Sequence, residues 1–239
     1  MDNWHFYLAS FLTSTVSGSV GVAGGILLMS YMAAFFPPAI LIPLHGVVQL
    51  SSNLSRVVLG FKNIVKDIAL ASAAGTMVGA LIGSQVVVNL PEKEFKILLA
   101  IVIVIMTCLH KFKSNLKVPG KFFWIGGGIT FLSLFIGAVG PLLAAFLVRK
   151  DLKKESMVAT QAACQAATHL AKILVFFSLG FVIGPYASIL IGMIAFGFLG
   201  NWVGQKILHR IPTETFSVII KVIISILAIK LLSDGLRLA

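Results

Sequence analysis

His45-Gly46-Val47-Val48-Gln49-Leu50-Ser51-Ser52-Asn53-Leu54-Ser55-Arg56 and Gln161-Ala162-Ala163-Cys164-Gln165-Ala166-Ala167-Thr168-His169-Leu170-Ala171-Lys172 carry one polar pattern twice, 116 residues apart. His45, Gln49, Ser52, Asn53 and Arg56 sit at i, i+4, i+7, i+8 and i+11, a spacing that places all five on one face of a helix. Gln161, Gln165, Thr168, His169 and Lys172 repeat it position for position. A basic side chain in apolar sequence is expensive and points to a functional site with a partner. Two such faces read as the two walls of one polar site.

The sequence around them is that of a membrane protein. Hydrophobic residues make up 58% of the 239-residue chain and charged residues only 11%. Its mean hydropathy is +1.02. A soluble domain carries far more charge, so the composition predicts an all-α polytopic protein in a lipid bilayer. The net charge of +11 does not indicate nucleic acid, because the basic residues cluster between apolar runs, as loop charges do under the positive-inside bias. The start, Met1-Asp2-Asn3-Trp4-His5, lacks a basic n-region, so no cleavable signal peptide is expected. Cys108 and Cys164 lie in apolar segments and are too few for a disulfide framework.

The duplication extends beyond the stripes. Gly21 and Gly24 match Gly137 and Gly140 at the same offset, and Gly79, Gly83, Pro91 and Phe95 match Gly200, Gly204, Pro212 and Phe216 at offset 121. These matches divide the chain into an N-terminal repeat, 1–118, and a C-terminal repeat, 119–239, which together form one transport domain. Each repeat holds four apolar segments: 4–34, 40–61, 68–89 and 95–110, then 121–148, 156–178, 184–208 and 214–234. A spanning helix needs about 20 apolar residues. The first segment of each repeat is interrupted, at Gly21-Val22-Ala23-Gly24-Gly25 and at Gly137-Ala138-Val139-Gly140-Pro141. Gly and Pro at those points predict a broken helix.

Loop charge predicts what the breaks do. If all eight segments crossed, the basic residues between them would divide eight against eight. If each broken segment is a re-entrant hairpin returning to its starting side, twelve share one side and only Lys93, Lys96, Lys230 and Arg237 lie opposite. The positive-inside bias selects the hairpins. Three full spans per repeat then remain, so the repeats are inverted and both termini lie outside the cytoplasm. Inverted repeats with broken helices around a midplane site are a secondary-transporter design.

In that arrangement Arg56 and Lys172 offer their charge to an anion, Arg as a planar donor fork and Lys as a compact charge. The competing reading is that each snorkels to an interface. Gln49, Gln165, Ser52, Asn53, Thr168 and His169 would supply hydrogen bonds. A half-helix starting at Gly24-Gly25 or after Gly140 would add free backbone N–H groups and a positive dipole end. The alternative role of these glycines is close helix packing. Gly75, Gly79, Gly83, Gly200 and Gly204 read as packing notches, and they allow without requiring a homodimer face. Every carboxylate lies at a segment end or in a loop. That argues against a cation carrier and removes the usual proton relay. If protons are coupled, His45 and His169 are the side chains to carry them, besides Lys172. No nucleophile–base pair, metal-ligand cluster or cofactor motif is present, so no enzyme, metal or cofactor is expected.

Ser17-Gly18-Ser19-Val20-Gly21-Val22-Ala23-Gly24-Gly25, followed by the His45–Arg56 stripe, the second break and the paired Gln165, resembles the sulfite exporter TauE/SafE family. The resemblance covers nearly the whole chain. It implies a prokaryotic inner-membrane, multi-pass carrier for sulfite, sulfonates or related small organic anions. The second break carries Pro141 where the first has Gly25, and the loops are very short, so the individual substrate does not transfer. An anion channel and a carrier for small carboxylates remain the alternatives within transport.

Overall fold

The apolar segments become helices, and the breaks fall where the glycines are. The computed structural model describes residues 3–85, 120–147 and 152–212, together with Glu214, Thr215, Val218 and Val222. Among these residues there are helices and no strands: α1 (Trp4–Val20), α2 (Gly24–Met32), α3 (Pro38–Leu59), α4 (Lys66–Ser84), α5 (Lys121–Ile136), α6 (Gly140–Leu147), α7 (Lys154–Ser178) and α8 (Ala187–Arg210). Short 3-10 turns, Phe61–Asn63 and Gly184–Tyr186, precede α4 and α8. The expected segments 95–110 and 214–234, with Cys108 and Lys221, lie outside the described residues, the few named above excepted.

Both breaks have the same local construction. α1 ends on Gly21 at φ +80°, whose N–H donates to Ser17 O at 2.8 Å. α5 ends on Gly137, also at φ +80°, whose N–H donates to Ser133 O at 2.9 Å. Only glycine adopts that conformation without a steric penalty. The chain then turns back on itself. His5 Nδ1 lies 2.7 Å from Tyr31 Oη, and Phe6 packs on Phe35 and Phe36, so the end of α2 returns to the start of α1. Gly24 makes this hairpin tight, since a Cβ there would collide with the Ser17 hydroxyl and the Thr13 carbonyl of α1. In the second repeat the Lys121 ammonium sits 5.7 Å from the Phe146 ring, bringing the end of α6 back to the start of α5. In both broken segments the chain thus folds back along itself at the break.

The hairpins surround a central pair, α3 against α7. The outer packing is reciprocal: α8 lies along α1, and α4 lies along α5. Each unbroken outer helix thus covers the hairpin of the other repeat. The glycines expected as notches serve these contacts. A Cβ on Gly79 would collide with the Gly127 carbonyl of α5, and one on Gly200 with the Phe11 carbonyl of α1. Those faces are consumed within the chain.

The distribution of polarity is that of a protein dissolved in lipid. Leu70, Met77 and Leu81 on α4 are 67–69% exposed, while Arg56 is 3% and Lys172 0% exposed. Water reverses that arrangement; hydrocarbon solvent favours it. Helices α4 and α8 are long and apolar enough to cross a bilayer.

Candidate functional site

The stripe residues of α3 and α7 are buried and face the two breaks. One small cavity lies between them, lined by His45, Gln49, Asn53 and Arg56 from α3 and by Gln161, Gln165 and His169 from α7. The breaks close its remaining sides through Gly21–Ala23 with Gly25, and through Ala138–Pro141. The imidazoles of His45 and His169 meet edge to face across it, 5.9 Å apart. The space open to the centre of a water molecule is about 30 Å³, room for one or two waters.

Corresponding residues of the two repeats make corresponding contacts. His45 Nε2 donates to Gly25 O at 2.8 Å, and Gln161 Nε2 donates to Gly140 O at 3.3 Å. Each first stripe residue thus holds a carbonyl at the start of the half-helix beyond its break. Gln49 lies against Gly25 and Gln165 against Gly140, where an added Cβ would come within 3.3 Å of either amide. Ser52 Oγ lies 3.4 Å from Ser14 Oγ, and Thr168 Oγ1 lies 3.1 Å from Thr130 Oγ1. Ser14 and Thr130 are themselves 116 residues apart.

The two bases also occupy matching positions, with different outlets. The Arg56 guanidinium donates to Asn53 Oδ1 at 2.5 Å and reaches Ser17 O and Gly21 O at 3.5 Å. Lys172 Nζ donates to Gly137 O at 2.9 Å. Both cations thus sit at the carbonyl end of a helix stopped by its break, where a positive charge is favoured. Neither snorkels to a surface. Arg56 faces the cavity, whereas Lys172 lies behind its wall. Among the described residues no carboxylate pairs with either, and no His/Cys/Asp/Glu group could hold a metal ion.

The cavity brings together Arg56, Gln49, Gln165, Asn53, His45, His169, Gly25 and Gly140 of the expected site. Ser52, Thr168, Lys172 and Gly24 stand outside its lining. Gly25 and Ile26 present the first turn of α2, whose N-cap, Ala23, makes no side-chain cap bond; Gly140 and Pro141 present that of α6. Several buried polar atoms at the cavity have no partner among the described residues: His45 Nδ1, His169 Nδ1, Gln161 Oε1 and both amide ends of Gln165. Buried polar groups are normally satisfied, so a concentration of unpaired atoms around one cavity marks a ligand or water site.

Sequence reasoning missed some residues. Ser17 lines the cavity beside Arg56. Asn201 of α8 is fully buried and donates to Ser52 O, Ser52 Oγ and Ser55 Oγ at 2.7–3.0 Å. The Ser14/Thr130 match at the stripe offset was an available signal. Asn201 has no polar counterpart in the first repeat and offered none.

Among the described residues, helices of a membrane protein enclose a cationic cavity between buried polar walls, an arrangement that suits an anion transporter. The chain is a member of the sulfite exporter TauE/SafE family, whose sequence profile matches residues 6–231. No match was found among the curated proteins or among the solved structures.

Proposed function

We propose that the protein is a secondary transporter that moves sulfite or a related small organosulfur anion across the bacterial inner membrane. Two bodies, one built on α1 and α8 and the other on α4 and α5, rock about the cavity between α3 and α7 and expose it to each side in turn. The observation that carries this reading is the cavity itself: a buried guanidinium, unpaired amides and imidazoles, and no acidic residue in its lining. A positive, carboxylate-free pocket in lipid favours an anion and disfavours a cation.

In this reading Arg56 binds the anion's charge, and Gln49, Gln165, Asn53 and His169 supply hydrogen bonds. Ser52 and Thr168 brace the stripe helices against the outer ones. Lys172 supports the second break through Gly137, and its charge adds to the field at the site. The first turns of α2 and α6 turn their helix N-termini toward the anion. His45 and His169 carry the proton if the gradient drives transport.

The reciprocal packing of α8 on α1 and α4 on α5, with matched contacts at both breaks, supports inverted repeats interlocked into two bodies, one holding α1 with α8 and the other α4 with α5. With both hairpins returning to their starting side, the termini face away from the cytoplasm. The test is thermal melting of the purified protein with sulfite, sulfate, thiosulfate, taurine, sulfoacetate and small carboxylates. A ligand bound only by the folded state raises the midpoint. Sulfite or an organosulfur anion is expected to do so; stabilisation by carboxylates alone would reassign the substrate.

A further inference from the structure

The unpaired atoms at the cavity include hydrogen-bond acceptors whose identity is fixed by the bonds around them. Gln161 uses its Nε2 to donate to Gly140 O at 3.3 Å, so the atom left over is the carbonyl oxygen Oε1. His45 uses its Nε2 to donate to Gly25 O at 2.8 Å, so in the neutral ring the atom left over, Nδ1, is an acceptor. Gln165 leaves both amide atoms unpaired, and whichever way it is turned it contributes one more acceptor. These side chains are 0–4% exposed and all line the cavity. A fully deprotonated oxyanion has only acceptors and would set its oxygens against them. A ligand that donates would satisfy them.

The charge points the same way. Arg56 is the one base in the lining among the described residues. Lys172 directs its ammonium away, onto Gly137 O at 2.9 Å. One facing guanidinium balances one negative charge; a dianion would leave its second charge uncompensated in a low-dielectric site.

We propose that the cavity takes a singly charged oxyanion that still carries a proton, so that the bound form of sulfite is hydrogensulfite, with its one hydroxyl donating to an acceptor on the wall of Gln161, Gln165 and His45 while its other oxygens face Arg56. This rests on the anion-carrier reading above and narrows it. The groups that could titrate around the ligand are His45 and His169 in the lining and Lys172 behind it, with Arg56 as the fixed charge.

The test is isothermal titration of the full-length protein in detergent, with sulfite and with methanesulfonate, across the second ionisation of sulfurous acid. Methanesulfonate has the same charge and three sulfur-bound oxygens, with a methyl group on sulfur and no hydroxyl to donate, and it does not titrate in this range. At the acid end sulfite is expected to bind at least about tenfold more tightly, because methanesulfonate leaves the acceptors unpaired. As the dianion takes over, apparent affinity for total sulfite should fall about tenfold per pH unit, the slope of one proton. Methanesulfonate binding should stay level, or be too weak to measure throughout. Sulfite affinity that is flat or rises with pH, equal or tighter methanesulfonate binding, or a parallel fall for both ligands would overturn the proposal and leave the anion site standing. Absence of binding by either anion would overturn the anion-carrier reading itself.

Discussion

At the scale of single residues, the notable feature is a pair of buried bases without counter-ions among the described residues. A buried cation costs several kcal/mol in lost hydration. One hydrogen bond to a carbonyl returns about 1–3 kcal/mol. For Lys172, whose one hydrogen bond among the described residues is to Gly137 O, the balance is unfavourable to stability. Lys172→Met is therefore expected to raise the melting midpoint of the purified protein while slowing anion flux, a stability–function trade-off. A midpoint lower than that of the unsubstituted protein would show the ammonium to be structural. The stripes themselves were legible because a helix face has a fixed period and buried polarity is rare enough to stand out. The division of work between the bases was not legible: Arg56 and Lys172 occupy the same stripe position, and only the path of each side chain decides which of them meets the cavity.

At the scale of elements, the two breaks organise the site. They stop α1 and α5, turn α2 and α6 back, and set four stretches of irregular backbone and helix ends around the stripes. Gly137 is the sharper constraint. It sits at φ +80°, and a Cβ there would collide with the Met29 methyl. A left-handed alanine costs about 1–2 kcal/mol before any collision, so Gly137→Ala should lower the melting midpoint clearly and reduce flux. An unchanged midpoint would mean that the break has another geometry. Ala23, at φ +73° beside the cavity, shows that the first break already stores strain of this kind. The glycines announced both breaks in the sequence. The roles within them were less visible. Gly24 and Gly25 are adjacent, yet Gly24 serves the contact with α1 and Gly25 faces Gln49, a difference set by tertiary packing.

At the scale of the whole molecule, each repeat lends an outer helix to the other, so neither repeat encloses its own hairpin. The cavity lies on the seam where α3 meets α7. The exchange was only partly legible: the duplication was plain in the glycine and stripe offsets, but the pairing of α8 with α1 and of α4 with α5 depends on which notches meet. Orientation has a direct check. With the second hairpin returning to the cytoplasmic side, Lys153→Cys should react with an impermeant thiol reagent from the cytoplasmic face only; labelling from outside would reverse the proposed topology. The central claim, that the cavity beside Arg56 is the path of an anion, is tested most directly by sulfite flux into proteoliposomes. Saturable uptake with counterflow is predicted for the unsubstituted protein, and for Arg56→Ala, at equal amounts of folded protein, uptake at the level of empty liposomes. Equal flux through both proteins would contradict the account.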